Sequence, residues 1–189
     1  MDNITINRIL KKIINIDNNY LGIFTPSQLN YVNIDRYNHL ILILFIPNIS
    51  KTYGHWCCLI KIKKVLYFLD SFGLNPDLYN FNLKHNLKTK KKYLYYYLNL
   101  QIQSNYTTVC GAYAIYFIHT LILCKYNITC LKKEIIRHLK NKNKLKNDYF
   151  IIQYMYNNFK KDLPFNCQNI FCNDKFIIKR KLCIETLCR

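Results

Sequence analysis

The sequence has few of the residues that build linkers and repeats, and no segment suited to crossing a membrane. Only four of its 189 residues are glycine and four are proline, so we expect a single domain over residues 1–189 with no linker or internal repeat. The apolar run Leu40–Pro47 is much shorter than the ~20 residues of a transmembrane helix. Residues 1–17 lack the long apolar stretch and cleavage site of a secretory signal. We therefore expect a soluble protein with no membrane contact that is not secreted.

Acidic residues are also scarce, and this imbalance has two explanations. Ten Asp and Glu accompany 28 Lys and Arg, which gives a formal charge of +18. Clustered cations attract phosphate groups, which favours a contact with DNA. However, Lys far outnumbers Arg, and Asn, Ile and Tyr are abundant, as the codons of an AT-rich genome would produce. The charge is spread along the chain, with runs at 88–92 and 140–146, and solvated surface explains it equally well.

Nine cysteines are present. In the absence of a secretory signal we expect a reducing compartment and free thiols. In the C-terminal tail, the pairs Cys167-x4-Cys172 and Cys183-x4-Cys188 have a spacing that structural zinc sites use. The segment between these pairs has a strand-like middle and no glycine-rich knuckle, so we favour buried or incidental thiols over a metal site.

The hydrophobic pattern indicates an α+β domain with helices around a small, mixed or largely antiparallel sheet. An almost wholly apolar stretch from Cys110 to about Cys124 predicts a buried central helix. More amphipathic or polar patterns predict further helices over 4–16, 131–139 and 148–160. Alternating, β-branched or aromatic segments predict strands over 39–46, 55–62, 65–70 and 93–102.

Two of these strands bring a histidine and a carboxylate together. If 55–62 and 65–70 form a hairpin centred on Ile62-Lys63, then His55 lies directly opposite Asp70. Directly opposed residues of antiparallel strands point to the same face, about 5 Å apart at Cβ. A carboxylate so placed fixes the tautomer of the imidazole and stabilises the imidazolium.

Three further residues extend this pair into a candidate catalytic site. Cys110 lies where the polar segment 104–108 meets the buried helix, and a helix N-terminus favours thiolate. With His55 alongside, Cys110 would form a thiolate–imidazolium pair, the active form of a cysteine nucleophile. Gly111 has no side chain to obstruct a substrate. Gln103, seven residues before the cysteine, can donate its carboxamide N–H to an oxyanion, a role worth about 3–4 kcal/mol.

These residues and their neighbours resemble a known family. The segments Gly54-His55-Trp56, Phe68-Leu-Asp-Ser-Phe-Gly73 and Gln103-x6-Cys110-Gly111 are similar to the adenovirus-type proteases, the adenain family, within the wider group of Ulp1-like cysteine proteases. The resemblance covers about residues 19–123. Residues 148–189 form a Cys-rich extension of the same domain, to which we assign no role.

The resemblance implies a papain-like fold in circularly rearranged order, with the nucleophile at the start of the buried helix. Cys110 would be the nucleophile, His55 the general base and acid, and Asp70 the residue that orients it. Gln103 and the Cys110 amide would form the oxyanion hole, with Trp56 either packed beside the site or an ordinary core aromatic. The implied function is cleavage of viral precursor proteins of the capsid or core during virion maturation. A DNA virus or virus-like transposon would be the source, and the virion and host nucleus or cytoplasm the location.

Two departures and two alternatives accompany this interpretation. Asp70 occupies the position where adenain has Glu, and no cysteine lies between Asp70 and Gln103 to hold a disulfide-linked activator. The family implies stimulation by DNA or a viral peptide, whereas the chemistry itself requires no cofactor, and we expect a monomer. The first alternative is a protease of the same fold that is specific for SUMO or ubiquitin-like proteins. The second is a non-enzymatic basic protein that binds nucleic acid.

Overall fold

The protein folds as an α+β structure, as the sequence pattern predicts. A computed structural model describes residues 1–14, 19–47 and 54–163. A five-stranded mixed sheet in the order β1-β2-β3-β4-β5 forms its centre. The strands are Tyr20–Phe24, His39–Pro47, Gly54–Ile62, Val65–Leu69 and Leu94–Tyr97, and the α-helices α1 to α5 are Asn3–Ile13, Leu83–Asn86, Cys110–Leu123, Ile128–Leu139 and Lys144–Phe159.

The sheet is antiparallel in its middle and parallel at both edges. Strand β3 pairs antiparallel with β2 and β4, whereas β1 pairs parallel with β2 and β4 parallel with β5. A parallel pair needs a crossover connection rather than a tight turn. Short 3₁₀ helices lie within both crossovers, at Pro26–Tyr31 and Ile34–Arg36 in the first and at Pro76–Tyr79 in the second. The sheet is therefore mixed rather than largely antiparallel.

The predicted register of the β3–β4 hairpin is wrong by two residues. Ile62 pairs with Val65 and Cys58 with Leu69, so the turn consists of Lys63 and Lys64. Lys63 takes a left-handed conformation with φ 54°, which the sequence does not signal because no Asn-Gly pair marks the turn. Side chains alternate with a period of two, so a shift of two residues keeps every side chain on its predicted face.

Helix α3 is the centre of the larger hydrophobic core, and its predicted extent is confirmed to within one residue. Nearly all of its side chains are buried, because β3 covers one side and α1, α4 and α5 pack around the others. A smaller core occupies the opposite face of the sheet, with Leu42, Leu59 and Phe68 among its members. A helix that is apolar all round requires this kind of enclosure.

The other predicted elements are found with altered limits. Helix α1 covers most of the predicted 4–16, of which residues 15 and 16 lie outside the described ranges. Helices α4 and α5 begin three and four residues earlier than predicted. The strand predicted over 93–102 ends at Tyr97. Beyond it the chain leaves the sheet, and the backbone N–H groups of Ile102 and Gln103 donate to the carbonyl of Ser71. This departure carries Gln103 toward Asp70.

The prediction that the cysteines are free thiols is wrong for one pair. Cys124 and Cys130 form a disulfide across the turn between α3 and α4, where Lys125 and Tyr126 both have positive φ. Cys57, Cys58 and Cys110 are free and buried. The four tail cysteines, and the predicted absence of a tail zinc site, fall in residues 164–189, outside the described part of the chain. Within the described part, none of the helices has the length and apolar character that crossing a membrane requires.

Candidate active site

The structure places His55 and Asp70 in direct contact, although they are not opposed in the hairpin. Nε2 of His55 lies 2.5 Å from Oδ1 of Asp70. Asp70 follows the last residue of β4 and is fully buried. Its carboxylate also accepts hydrogen bonds from the backbone N–H groups of Phe72 and Leu74, both at 3.0 Å, and from the hydroxyl of Tyr79 at 2.8 Å. Burial alone would raise the pKa of Asp70, but these donors, with His55 foremost, lower it.

The ring of His55 is held in a position that favours its charged form. It stacks against Phe72 and Tyr79, with ring centroids 4.8 and 5.5 Å away. Burial disfavours the imidazolium, yet the groups around the ring hold the pKa of His55 well above its usual range. The largest upward effect on this pKa is that of a negative charge on Cys57, a thiol that is neutral at pH 7. Next come the hydrogen bonds that the ring makes to the Asp70 carboxylate and to the thiol of Cys110. These hydrogen bonds favour the imidazolium over the neutral ring.

Cys110 begins helix α3 and is 6% exposed. Burial raises the pKa of its thiol, but the hydrogen bond to His55 and the charge of that ring outweigh burial, and a backbone hydrogen bond from Trp56 adds to them. The net shift is downward. The positive end of the α3 macrodipole acts in the same direction. Cys110 and His55 therefore have the electrostatic relation of a thiolate–imidazolium pair.

Gln103 is fully buried, and two hydrogen bonds fix the orientation of its carboxamide. Its Oε1 accepts a hydrogen bond from the hydroxyl of Ser71 at 2.6 Å, and its Nε2 donates to the carbonyl of Thr107 at 2.9 Å. Because a carbonyl can only accept, the group that faces Thr107 must be the NH₂. The other N–H of that NH₂ group is the one that would donate to an oxyanion, and this role of Gln103 stays a prediction.

The loop between Gln103 and Cys110 is anchored by a residue that the sequence analysis missed. Asp148 of α5 is fully buried and accepts hydrogen bonds from the hydroxyls of Thr107 at 2.8 Å and Tyr113 at 2.9 Å. It also accepts from the backbone N–H of Ser104. The scarcity of acidic residues could have marked Asp148, but no local motif assigns it to this loop.

Trp56 and Gly111 have packing roles on the opposite face of β3 from His55. The Trp56 side chain is 6% exposed and lies 4.6 Å from the ring of Phe45. A Cβ added to Gly111 would lie 3.0 Å from Ile6 Cδ1 and 3.4 Å from Trp56 Cδ1. The absent side chain of Gly111 thus makes room for α1 and Trp56 against α3, and its predicted role of leaving a substrate unobstructed stays a prediction.

Cys57 is a further member of the site that sequence reasoning did not identify. It is fully buried, and its thiol hydrogen-bonds to the ring of His55. Burial raises the pKa of this thiol to about 12, so Cys57 is a neutral thiol at pH 7. Its position two residues after His55, and hence on the same strand face, was the available signal.

Donor atoms of His55, Cys57 and Asp70 all lie within 4.8 Å of one another. This is the one grouping of potential metal ligands found among the described residues. Comparison with known proteins gives no family assignment, because no protein-family model matches the chain and a search of curated proteins finds no match.

Proposed function

We propose that the protein is a cysteine endopeptidase with Cys110 as nucleophile, His55 as general base and acid, and Asp70 as the residue that orients His55. The proposal rests on one observation, namely that Asp70 and Cys110 both bond to the imidazole ring of His55. One imidazole bonds to a buried carboxylate at 2.5 Å and to a thiol at the start of a buried helix. The adenain-like order of these residues along the chain supports a papain-like fold in circularly rearranged order.

The proposed reaction proceeds by acyl transfer. The Cys110 thiolate attacks the carbonyl carbon of the scissile peptide bond, which forms a C–S bond and an oxyanion. The His55 imidazolium donates its proton to the leaving amine as the C–N bond breaks, leaving a thioester on Cys110. Neutral His55 then takes a proton from water, whose hydroxide cleaves the thioester and restores the thiolate. Asp70 stabilises the imidazolium at both stages.

Oxyanion stabilisation falls to Gln103 and the N-terminus of α3. The first N–H groups of a helix have no acceptor within the helix, which makes the Cys110 N–H a suitable donor to an oxyanion. Gln103 supplies its second amide N–H, provided that the substrate oxygen reaches this buried group. Ser71 and Thr107 hold the carboxamide in one orientation, so no reorganisation is needed during the reaction.

Viral precursor proteins are the substrates that we propose, on the strength of the adenain resemblance. The excess of Lys and Arg is consistent with stimulation by DNA, because polyanions bind cationic surfaces. The same catalytic groups would serve a protease specific for ubiquitin-like proteins, so substrate profiling must decide between the two.

The first test measures the reactivity of Cys110. An ordinary thiol is about 0.3% ionised at pH 6, so full ionisation can accelerate alkylation at most about 300-fold. The lower intrinsic nucleophilicity of a low-pKa thiolate reduces this gain, and we expect about 10- to 100-fold. Labelling with iodoacetamide at pH 6, mapped by mass spectrometry, should show this excess over the same cysteine in His55→Ala.

The matched control is His119→Ala, which removes another half-buried histidine on the same helix as Cys110. His119 bonds to the hydroxyl of Tyr154 rather than to the site, so this variant should label like the wild type. Equal labelling of Cys110 in the wild type and His55→Ala, with and without DNA, would refute the thiolate–imidazolium pair. Peptide substrates and SUMO or ubiquitin probes then separate the two classes of protease.

A further inference from the structure

The cluster of His55, Cys57 and Asp70 contains more than a cysteine protease needs. Catalysis as proposed uses the imidazole and the carboxylate, but it assigns nothing to the buried thiol of Cys57. We propose that these three side chains form an inhibitory site for a thiophilic divalent cation, with Zn²⁺ as the ion. This inference adds a regulation to the proposed protease, although the binding itself does not depend on proteolysis.

The geometry of the cluster is close to that of a zinc site. His55 and Cys57 project from the same face of β3, and Asp70 reaches them from the end of β4. Their donor atoms lie within 4.8 Å of one another. Zinc bonds of about 2.0–2.3 Å with tetrahedral angles place neighbouring donors roughly 3.2–3.8 Å apart. Donors at the 4.8 Å limit must therefore approach by about 1.0–1.6 Å, and the His55–Asp70 pair at 2.5 Å must open by about 1 Å, which are movements that rotamer adjustment of three side chains can supply.

The donor chemistry selects the ion. Thiolate and imidazole ligands favour Zn²⁺ over Mg²⁺ and Ca²⁺, which require oxygen ligands. Three protein ligands with a fourth position for water is an arrangement that zinc adopts in open sites. The ion would enter past His55, whose side chain is 13% exposed, whereas Asp70 has no exposed surface.

Zinc would bind in place of protons. One Zn²⁺ would displace the thiol proton of Cys57 and the proton between His55 and Asp70, so two protons leave and no bond to carbon changes. A metal-bound His55 keeps one ring N–H, but donating it to the leaving amine would leave an imidazolate, and the ring has no free lone pair to take a proton from water. The proposed peptidase would therefore stop when zinc binds and recover when a chelator removes it.

The test compares two adjacent cysteines. Cys57→Ser removes the thiol of the cluster, and Cys58→Ser removes the neighbouring buried thiol, which points to the other face and bonds to the carbonyl of Ala114. Titration calorimetry with Zn²⁺ alone, on the full reduced chain, should find one more bound ion for the wild type and Cys58→Ser than for Cys57→Ser. Alternatively, the same ion should bind Cys57→Ser at least about 10- to 100-fold more weakly. Zinc bound elsewhere contributes equally to all three proteins.

A second measurement needs no substitution. In the wild-type protein, Zn²⁺ should shift the ring NMR signals of His55 but not those of His119, and a chelator should reverse the change. Equal zinc stoichiometry and affinity in the wild type and Cys57→Ser, or an unmoved His55 ring, would overturn the proposal. These readouts are independent of Cys110 labelling, so failure of the metal site and failure of the protease assignment are distinguishable.

Discussion

The buried carboxylate of Asp148 leads to a pH dependence of stability that one substitution can isolate. Burial raises its pKa from the usual 3.8 to about 6, although hydrogen bonds from Thr107, Tyr113 and the Ser104 backbone oppose the rise. The folded chain therefore holds this proton more tightly than the unfolded chain. The contribution of Asp148 to the free energy of unfolding is present in full below about pH 4. It falls as the pH rises from there through the folded pKa of about 6, and it is absent at higher pH.

The size of the effect follows from the shift. A change from 3.8 to about 6 is about two pKa units, which corresponds to roughly 3 kcal/mol once the folded carboxyl is fully ionised. About 2 kcal/mol of this is lost between pH 4 and pH 7.5, because the unfolded Asp is already partly ionised at pH 4. Asp148→Asn keeps the shape of the side chain but removes its titration. The wild type should therefore lose about 2 kcal/mol more than Asp148→Asn over this interval.

Urea unfolding of the two proteins at pH 4, 5, 6 and 7.5 measures this difference. Other titrating groups are common to both chains and cancel in the comparison. Asp77→Asn, at an exposed carboxylate, is the matched control. Its free energy of unfolding should differ from that of the wild type by a small amount at every pH. A constant difference between Asp148→Asn and the wild type from pH 4 to 7.5 would refute the argument that burial dominates at Asp148.

Three further predictions concern stability and are measured by urea unfolding at pH 7. Gly73→Ala should cost about 2 kcal/mol or more, because Gly73 has φ 70° and an added Cβ would lie 2.5 Å from neighbouring backbone; an unchanged midpoint would contradict this. Ser71→Ala leaves the buried Oε1 of Gln103 without its donor, at an expected cost of about 1–3 kcal/mol, and a cost near zero would show that another group replaces the hydroxyl. Reduction of the Cys124–Cys130 disulfide should lower stability by about 2 kcal/mol for so short a loop, and the double serine variant should show no effect of reductant.

The sequence alone identified the elements whose patterns are local and strong. An apolar run with no polar face specifies a buried helix, which is why Cys110 could be placed at the start of α3. Strands β2, β3 and β4 were recognised because alternation or continuous burial over five to nine residues leaves few other structures. The four candidate catalytic residues were chosen by type and order along the chain. A hairpin parity argument placed His55 and Asp70 on one face, and a two-residue error in register left that face unchanged.

What depends on distant parts of the chain was decided only by the tertiary structure. The turn at Lys63 is set by strand pairing rather than by its own residues, and β5 ends at Tyr97 because the following segment bonds to Ser71 instead of continuing in the sheet. Asp148 reaches the loop before Cys110 from 41 residues away along the chain at Thr107. A contact of that separation has no local pattern, because it exists only once the helices have packed and removed the carboxylate from water.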